Sequence, residues 1–186
     1  GGLLQNNSVA NTLSYYNTTK YENTLNPFSE KTFEVSPLNR ILKQAFPGNS
    51  WKTQSSSGHE IKFNYQTNIS GEVKQFIAVS TDRLSDLGLY EPSVTQTTTY
   101  SVGQLFKTIT KDENWVSGLD KTTEEFKDKD GNVVLKRTYN NQDPHDTYYI
   151  YDQYGNLCYV LPPLANGAFD ETTLNFLCYR YKYDYR

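Results

Sequence analysis

Asp128-Lys129-Asp130-Gly131-Asn132 gathers two carboxylates and an amide around a glycine, the composition of the start of a calcium loop. An EF-hand requires an acid two residues before Asp128 and a late bidentate Glu. Phe126 and Arg137 stand at those positions, so the segment reads as the turn of a hairpin. Asp143-Pro144-His145-Asp146 packs three ligands or acid–base groups into four residues, but a metal centre needs further convergent donors. Asp-Pro also initiates turns, which places His145 at the entry to a strand. Cys158 and His145 can be drawn as nucleophile and base, yet no local signature joins them. The only two cysteines, Cys158 and Cys178, lack a metal-spaced His pair and make no zinc site. The two could form one disulfide, but strand alternation puts Cys158 with Val160 and Cys178 with Arg180 and Lys182, so their surroundings differ and free thiols are expected. Ser-centred hydrolase elbows and phosphate-cradling glycine loops are both absent. No catalytic, cofactor-binding or metal-ligating residue is assigned, no cofactor is expected, and an enzyme is the third-ranked reading.

Flat rings offer another kind of chemistry. Trp51, Trp115, Tyr148, Tyr149 and Tyr154 are candidate binding aromatics, since rings cover apolar sugar faces and hydroxyls add polar handles. Their regular placement on strand arms favours packing between repeats as the main role.

The elements that must position these residues are hairpins. Thr147 to Leu161 carries two β-prone arms around Asp152 to Asn156, where Gly155-Asn156 supplies the positive φ of a tight reversal. Glu125 to Leu135 repeats the pattern. Gly131 and Gly155 lie 24 residues apart, and that shift sets Asp128 on Asp152, Asn132 on Asn156 and Val133 on Leu157. A third copy begins at Arg180 to Arg186, with Asp184 in the place of the turn aspartate. Asp128, Gly131, Asn132, Asp152, Gly155, Asn156 and Asp184 are thus the expected structural turn residues of a repeated unit.

Aromatic-Asp-x-x-Gly-Asn/Arg-Leu/Val at twenty-odd-residue spacing resembles the YD repeat of bacterial RHS (rearrangement hot spot) proteins. Glu125-Phe126-Lys127-Asp128, Val134-Leu135-Lys136-Arg137, His145-Asp146-Thr147-Tyr148-Tyr149 and Tyr159-Val160-Leu161-Pro162-Pro163 resemble RHS proteins of Bacteroidetes, in a segment N-terminal to the RHS core. Phe33-Glu34-Val35-Ser36-Pro37-Leu38-Asn39-Arg40 and Thr110-Lys111-Asp112-Glu113 fit the same group. The similarity runs over roughly residues 30 to 186 and is dense from 104 onward. It implies a non-catalytic structural segment contributing hairpins to a large shell that can enclose a C-terminal toxin or effector domain. It also implies an extracellular or cell-surface bacterial parent, with neighbouring repeats, the enclosed domain or a secretion-apparatus component as partners. The family's self-cleaving core and its aspartates lie outside this chain.

Composition agrees with strands. Only 36% of residues are hydrophobic, while 16 Tyr and 9 Phe supply large rings. The net charge of −3, with Lys and Arg scattered among acids, argues against nucleic acid as a partner. No apolar run reaches the length of a membrane helix, so no membrane insertion is expected. Gly1-Gly2 reads as a cloning remnant, Met is absent, and the third repeat stops before its glycine. The sequence therefore reads as a piece of a larger protein.

In chain order, residues 1–29 are expected as a polar arm, partly disordered, with a weak helical turn or two over Ser8 to Tyr16. Residues 30–186 form the repeat segment. Between Lys31 and Phe46 composition favours a helix capped by Ser36, with Pro37 at its first position. The resemblance favours a hairpin, which is the reading adopted. Trp51 anchors a polar loop. His59 to Gln66 and Glu72 to Ser80 read as a hairpin around Thr67 to Gly71. Asp82 to Gln96 reads as irregular, with Leu84, Leu87 and Leu89 covering a sheet end, then Thr97 to Tyr100 and Gly103 to Thr110 as β-prone runs. Asn114 to Lys121 is a loop tip. Asp170 caps a short helix to Leu177, and Tyr179, Tyr181, Tyr183 and Tyr185 share a strand face. The fold class is all-β, mainly antiparallel, with consecutive hairpins in a curved sheet and one short helix near 170–177. The alternative function is a carbohydrate- or protein-binding β module, with glycan as its candidate ligand.

Overall fold

Runs in which every second residue is aromatic, aliphatic or β-branched fold as strands, because alternate side chains then meet one buried face. A computed structural model describes residues 5–53, 58–81, 88–165 and 170–184, and the chain there is mostly antiparallel β. Its strands are β1 (Glu30–Phe33), β2 (Ile41–Ala45), β3 (Ile61–Thr67), β4 (Lys74–Thr81), β5 (Glu91–Thr99) and β6 (Phe106–Lys111). They continue as β7 (Thr122–Lys127), β8 (Val133–Asn140), β9 (Asp143–Tyr151), β10 (Leu157–Leu161) and β11 (Tyr179–Arg180). Helices α1 (Ser8–Tyr16) and α2 (Glu171–Phe176) and two 3-10 turns, Thr19–Tyr21 and Pro163–Ala165, complete the described elements. Neither helix is long and apolar enough to cross a membrane.

The contacts divide the chain into two units, residues 1–64 with 110–117 and residues 65–109 with 118–186. In the first, β1, β2 and β3 are antiparallel neighbours. Its buried residues, among those described, are only Asn26, Ala45 and Glu60. With so little aliphatic core, rings and ion pairs hold it. Tyr15, Tyr16 and Tyr21 pack mutually with centroids 4.9–5.3 Å apart, and Lys43 reaches Glu60 at 2.7 Å. Helix α1 carries no buried residue and lies where one or two weak turns were expected. The Lys31–Phe46 segment is the hairpin and not the helix: β1 and β2 pair antiparallel, and Glu34 N donates to Arg40 O at 2.9 Å across the loop, so pairing with a neighbour prevails over the local Ser-Pro cap.

In the second unit β6 to β11 are neighbours in sequence order, and β4 and β5 pair as a separate two-stranded sheet. The core lies between these two layers. Phe126, Leu135, Tyr148, Ile150, Tyr159 and Leu161 point inward from β7 to β10, each 3% exposed or less. Phe76 of β4 meets Tyr148 edge-on at 5.0 Å, and the Tyr159 hydroxyl donates to Pro92 O at 2.8 Å.

Two expectations are corrected here. His59–Ser80 is not a hairpin: β3 pairs with β2, and β4 with β5. The intervening corner is fixed by Asn68, fully buried, whose Oδ1 accepts from Leu105 N (2.8 Å) and whose Nδ2 donates to Ser101 O (2.9 Å). Those bonds tie the turn to the β5–β6 connection and turn the chain out of its own plane. Second, the stretch read as irregular becomes strand from Glu91, since Thr-rich β5 needs only one packed face; Leu84 and Leu87 lie outside the described residues. Helix α2 stands as expected, Asp170 Oδ1 accepting from Thr173 N at 2.8 Å. The tyrosine-rich end is strand only over Tyr179–Arg180, and Tyr185 lies outside the described residues.

Candidate functional site

Asp128 to Asn132, with the composition of the start of a calcium loop, and its repeat Asp152 to Asn156 spend their carboxylates as acceptors for turn N–H groups. In the β7–β8 loop, Gly131 N donates to Asp128 O (3.2 Å) and Asp128 N to Asn132 O (3.0 Å). In the β9–β10 loop the same two bonds join Gly155 to Asp152 (3.0 Å) and Asp152 to Asn156 (2.9 Å). This is a turn closed by a glycine bulge, and Gly131 and Gly155 have φ +88° and +82°. Asp128 Oδ1 accepts from Asp130 N (3.0 Å) and Asn132 N (2.8 Å), and Oδ2 from Asn132 Nδ2 (3.1 Å). Asp152 repeats this with Tyr154 N (2.9 Å), Asn156 N (2.9 Å) and Asn156 Nδ2 (3.3 Å). A carboxylate suits the position because it alone offers several acceptor sites to converging N–H groups.

Asp152 is buried and also accepts from Ser80 Oγ at 2.8 Å, which ties the tip to β4. Burial pushes its carboxyl up, but the donors from Asn156, Ser80 and Tyr154 outweigh that and hold it below the ordinary value. Glu34 closes the β1–β2 loop in a related way, accepting from Arg40 Nε (2.8 Å), Arg40 Nη2 (2.8 Å) and Ser36 Oγ (2.7 Å). Asn39 at φ +50° takes the left-handed position there. The Arg40 and Ser36 bonds hold the Glu34 carboxyl down at about 2. Asp184 forms an isolated bridge with Leu89, and the residues after it lie outside the described ones.

Between the two equivalent tips lies a cleft of about 200 Å³, lined by Lys74, Tyr100, Asp130, Asn132, Tyr149 and Tyr151 among others. Burial, then the charge of Asp128, pushes the Tyr100 and Tyr151 hydroxyls up, so both stay protonated near neutral pH. Asp128 and Asp152, which also line the cleft, are committed to their own turns. Among the described residues, no three His, Cys, Asp or Glu side chains come together to hold a metal ion.

Beside this cleft in the fold runs a row of opposite charges across four neighbouring strands. Lys107 (β6), Glu124 (β7), Arg137 (β8) and Asp146 (β9) stand side by side, with Glu124 opposite Arg137 and Arg137 opposite Asp146. Lys107 Nζ lies 3.0 Å from Glu124 and 2.7 Å from Glu72; Arg137 grips Asp146 through Nε (2.6 Å) and Nη2 (2.8 Å). Both cations sit near the Phe126 ring, at 5.1 and 5.9 Å. Glu124 Oε2 is buried without a hydrogen-bond partner and lies 3.7 Å from Arg137 Nη1. Burial and Glu124 push the Tyr139 hydroxyl up to about 12.

The remaining candidates are scattered. His145 is exposed in β9 opposite Thr138, and Asp143-Pro144 are strand residues, not a turn. The reversal is Asn141-Gln142, both left-handed at φ +51° and +67°. Cys158 lies by the far end of β9, where Tyr159 pairs with Ile150. Five residues of strand separate His145 from Ile150, roughly 17 Å, so the two cannot form a dyad. Cys158 is fully buried with its thiol pushed up by burial, and Cys178 is free as well. Tyr148 is in the core and cannot serve a surface platform; its exposure is 2%, against 72% for Tyr154, with Tyr149 half-buried. In the first unit, Trp51 packs against His59 at 5.2 Å, while Trp115 lies under Lys111 (3.9 Å) and Lys62 (5.5 Å).

Asn68 and the charge row were missed by sequence reading. One in-register charge per strand is a signal, but it emerges only once strand pairing is known. Residues 1–67 match a family model described as a domain of unknown function (DUF6443), roughly a third of the chain. No curated protein and no solved structure matches the chain.

Proposed function

We propose that the chain is a non-catalytic structural segment of an RHS/YD-repeat protein of Bacteroidetes type. Its hairpins contribute to the wall of a large shell that can enclose a C-terminal toxin or effector domain, in an exported or surface-located bacterial protein. Neighbouring repeats are its first partners, then the enclosed domain or a component of the secretion apparatus. The observation that carries this reading is the pair of adjacent Asp-x-x-Gly-Asn hairpins, identical in their closing bonds and joined edge to edge through β8 and β9. A unit that repeats in sequence, in turn geometry and in sheet order is suited to extension by further copies. Asp128 and Asp152, spent on their turns, Asp146, spent on a strand-to-strand ion pair, and Tyr148 and Cys158, buried in the core, support the same reading.

Electron microscopy of the parent protein tests this. Hairpins of this geometry should continue from β10 and β11 into a closed, hollow wall. A parent in which the sheet stands alone as a discrete lobe, with no further hairpins beside it, would overturn the proposal.

A further inference from the structure

The first unit contains an open groove of about 730 Å³ whose lining includes Tyr16, Tyr21, Trp51, Lys20, Glu22 and Asn49. We propose that this groove binds a neutral oligosaccharide. The inference uses none of the repeat hairpins and stands or falls apart from the scaffold reading.

Two aromatic walls are built and held by specific devices. Trp51 is 37% exposed in a loop pinned by Gly48 N to Asn26 O (2.8 Å) and Trp51 N to Gly48 O (3.0 Å). Gly48 has φ +118°, and a Cβ there would stand 3.2 Å from Trp51 Cδ1, so the indole's position depends on glycine. His59 backs the indole, its Nδ1 3.0 Å from Glu113 O. On the other wall Tyr16 and Tyr21 pack at 4.9 Å, and the Tyr15 and Tyr21 hydroxyls meet at 3.0 Å. Between the walls Glu22 and Asn23 are consecutive non-glycine residues in the left-handed region, at φ +55° and +50°. They cap the Thr19–Tyr21 turn, Glu22 N donating to Thr19 O (3.3 Å) and Asn23 N to Thr18 O (2.9 Å), which fixes the path of the chain into the groove.

The chemistry of the groove selects the ligand class. The partly exposed Trp51 indole, packed on His59, offers a flat apolar face as the axial C–H faces of a pyranose require, while the Tyr21 ring carries the Lys20 ammonium 5.2 Å from its centroid. The rim carries the Lys20 ammonium, the Glu22 carboxylate and the amide of Asn49, whose Oδ1 accepts from Leu25 N at 3.2 Å and leaves its Nδ2 as a donor. One cation and one carboxylate leave the rim without net charge, which disfavours an acidic or a basic ligand. The size falls in the range of about 300–1,000 Å³ that holds a small-molecule ligand, enough for a short saccharide. A proline-rich peptide would share the rings but make little use of a rim of hydrogen-bonding groups.

The test titrates the 186-residue chain carrying Trp115→Phe, so that fluorescence reports Trp51 alone, with cello-, xylo-, malto-, laminari- and chito-hexaose and with a proline decamer. At least one hexasaccharide should quench or shift Trp51 emission with a dissociation constant of about 1 mM or tighter. The affinity should be unchanged between about 0.05 and 0.5 M salt. Trp51→Ala should weaken it by about tenfold or more. Tyr21→Leu, with circular dichroism unaltered, should do so as well if Trp51→Ala perturbs the loop. Absence of a response to all five saccharides would overturn the proposal, as would binding of the decamer alone or saccharide affinity indifferent to both variants.

Discussion

At the scale of single residues, the turn positions separate backbone needs from side-chain chemistry. A Cβ added at Gly155 meets nothing within 4 Å, so the only objection to a larger residue there is its φ of +82°. A β-branched residue tolerates that conformation least. Gly155→Val should therefore destabilise the chain by about 1–3 kcal/mol in urea unfolding, through backbone strain alone. His145→Ala serves as the contrast. His145 is exposed on β9 and should change stability by no more than about 0.5 kcal/mol. A silent Gly155→Val would remove the conformational account of the repeat glycine, and a His145 variant that lost a bound metal would reopen the site reading.

At the scale of elements, the row Lys107–Glu124–Arg137–Asp146 sets the register of β6 to β9. A strand slipped by one residue would turn its charge to the opposite face and leave its neighbours unpaired. Removing one member of a buried pair costs more than the pair contributes, because the partner stays charged and desolvated. Arg137 faces both Glu124 and Asp146, so Arg137→Met should cost about 3–5 kcal/mol. In a double-mutant cycle, Asp146→Leu should recover part of that loss, since the two residues share a bidentate contact. Strictly additive losses would show that the row carries no register information. These elements also mark where sequence reading succeeded. The β7–β8 and β9–β10 hairpins were legible because turn chemistry and alternation coincide within a short window. The β3–β4 corner was not, because Asn68 resembles any turn asparagine and its partners Ser101 and Leu105 are over thirty residues distant. Tyr148, read as a candidate surface ring, lies in the core, since alternation gives two faces without saying which is covered.

At the scale of the whole molecule, titration links the turns and the core to stability. Glu34, held at about 2, and Asp152, held low, favour the folded state while ionised. Their contribution is complete above the ordinary carboxylate pKa of about 4 and is lost as pH falls through the folded values. The tyrosines act in the opposite direction. Burial pushes Tyr148 and Tyr139 up to about 12, with the charges of Asp146 and Glu124 adding to it. The unfolded chain then releases those protons first, near pH 10. Stability from these rings is complete below about pH 10 and declines as pH rises toward 12, because the unfolded state binds fewer protons than the folded one. A plateau from about pH 5 to 9, with an alkaline limb beginning near 10, is the expected profile of urea midpoints. Tyr139→Phe and Tyr148→Phe together remove two of the ionisations responsible and should make that limb shallower, while the acid limb keeps its slope. An alkaline slope identical in the double variant would mean that these two hydroxyls, one buried and one half-buried, are not what the folded chain protects.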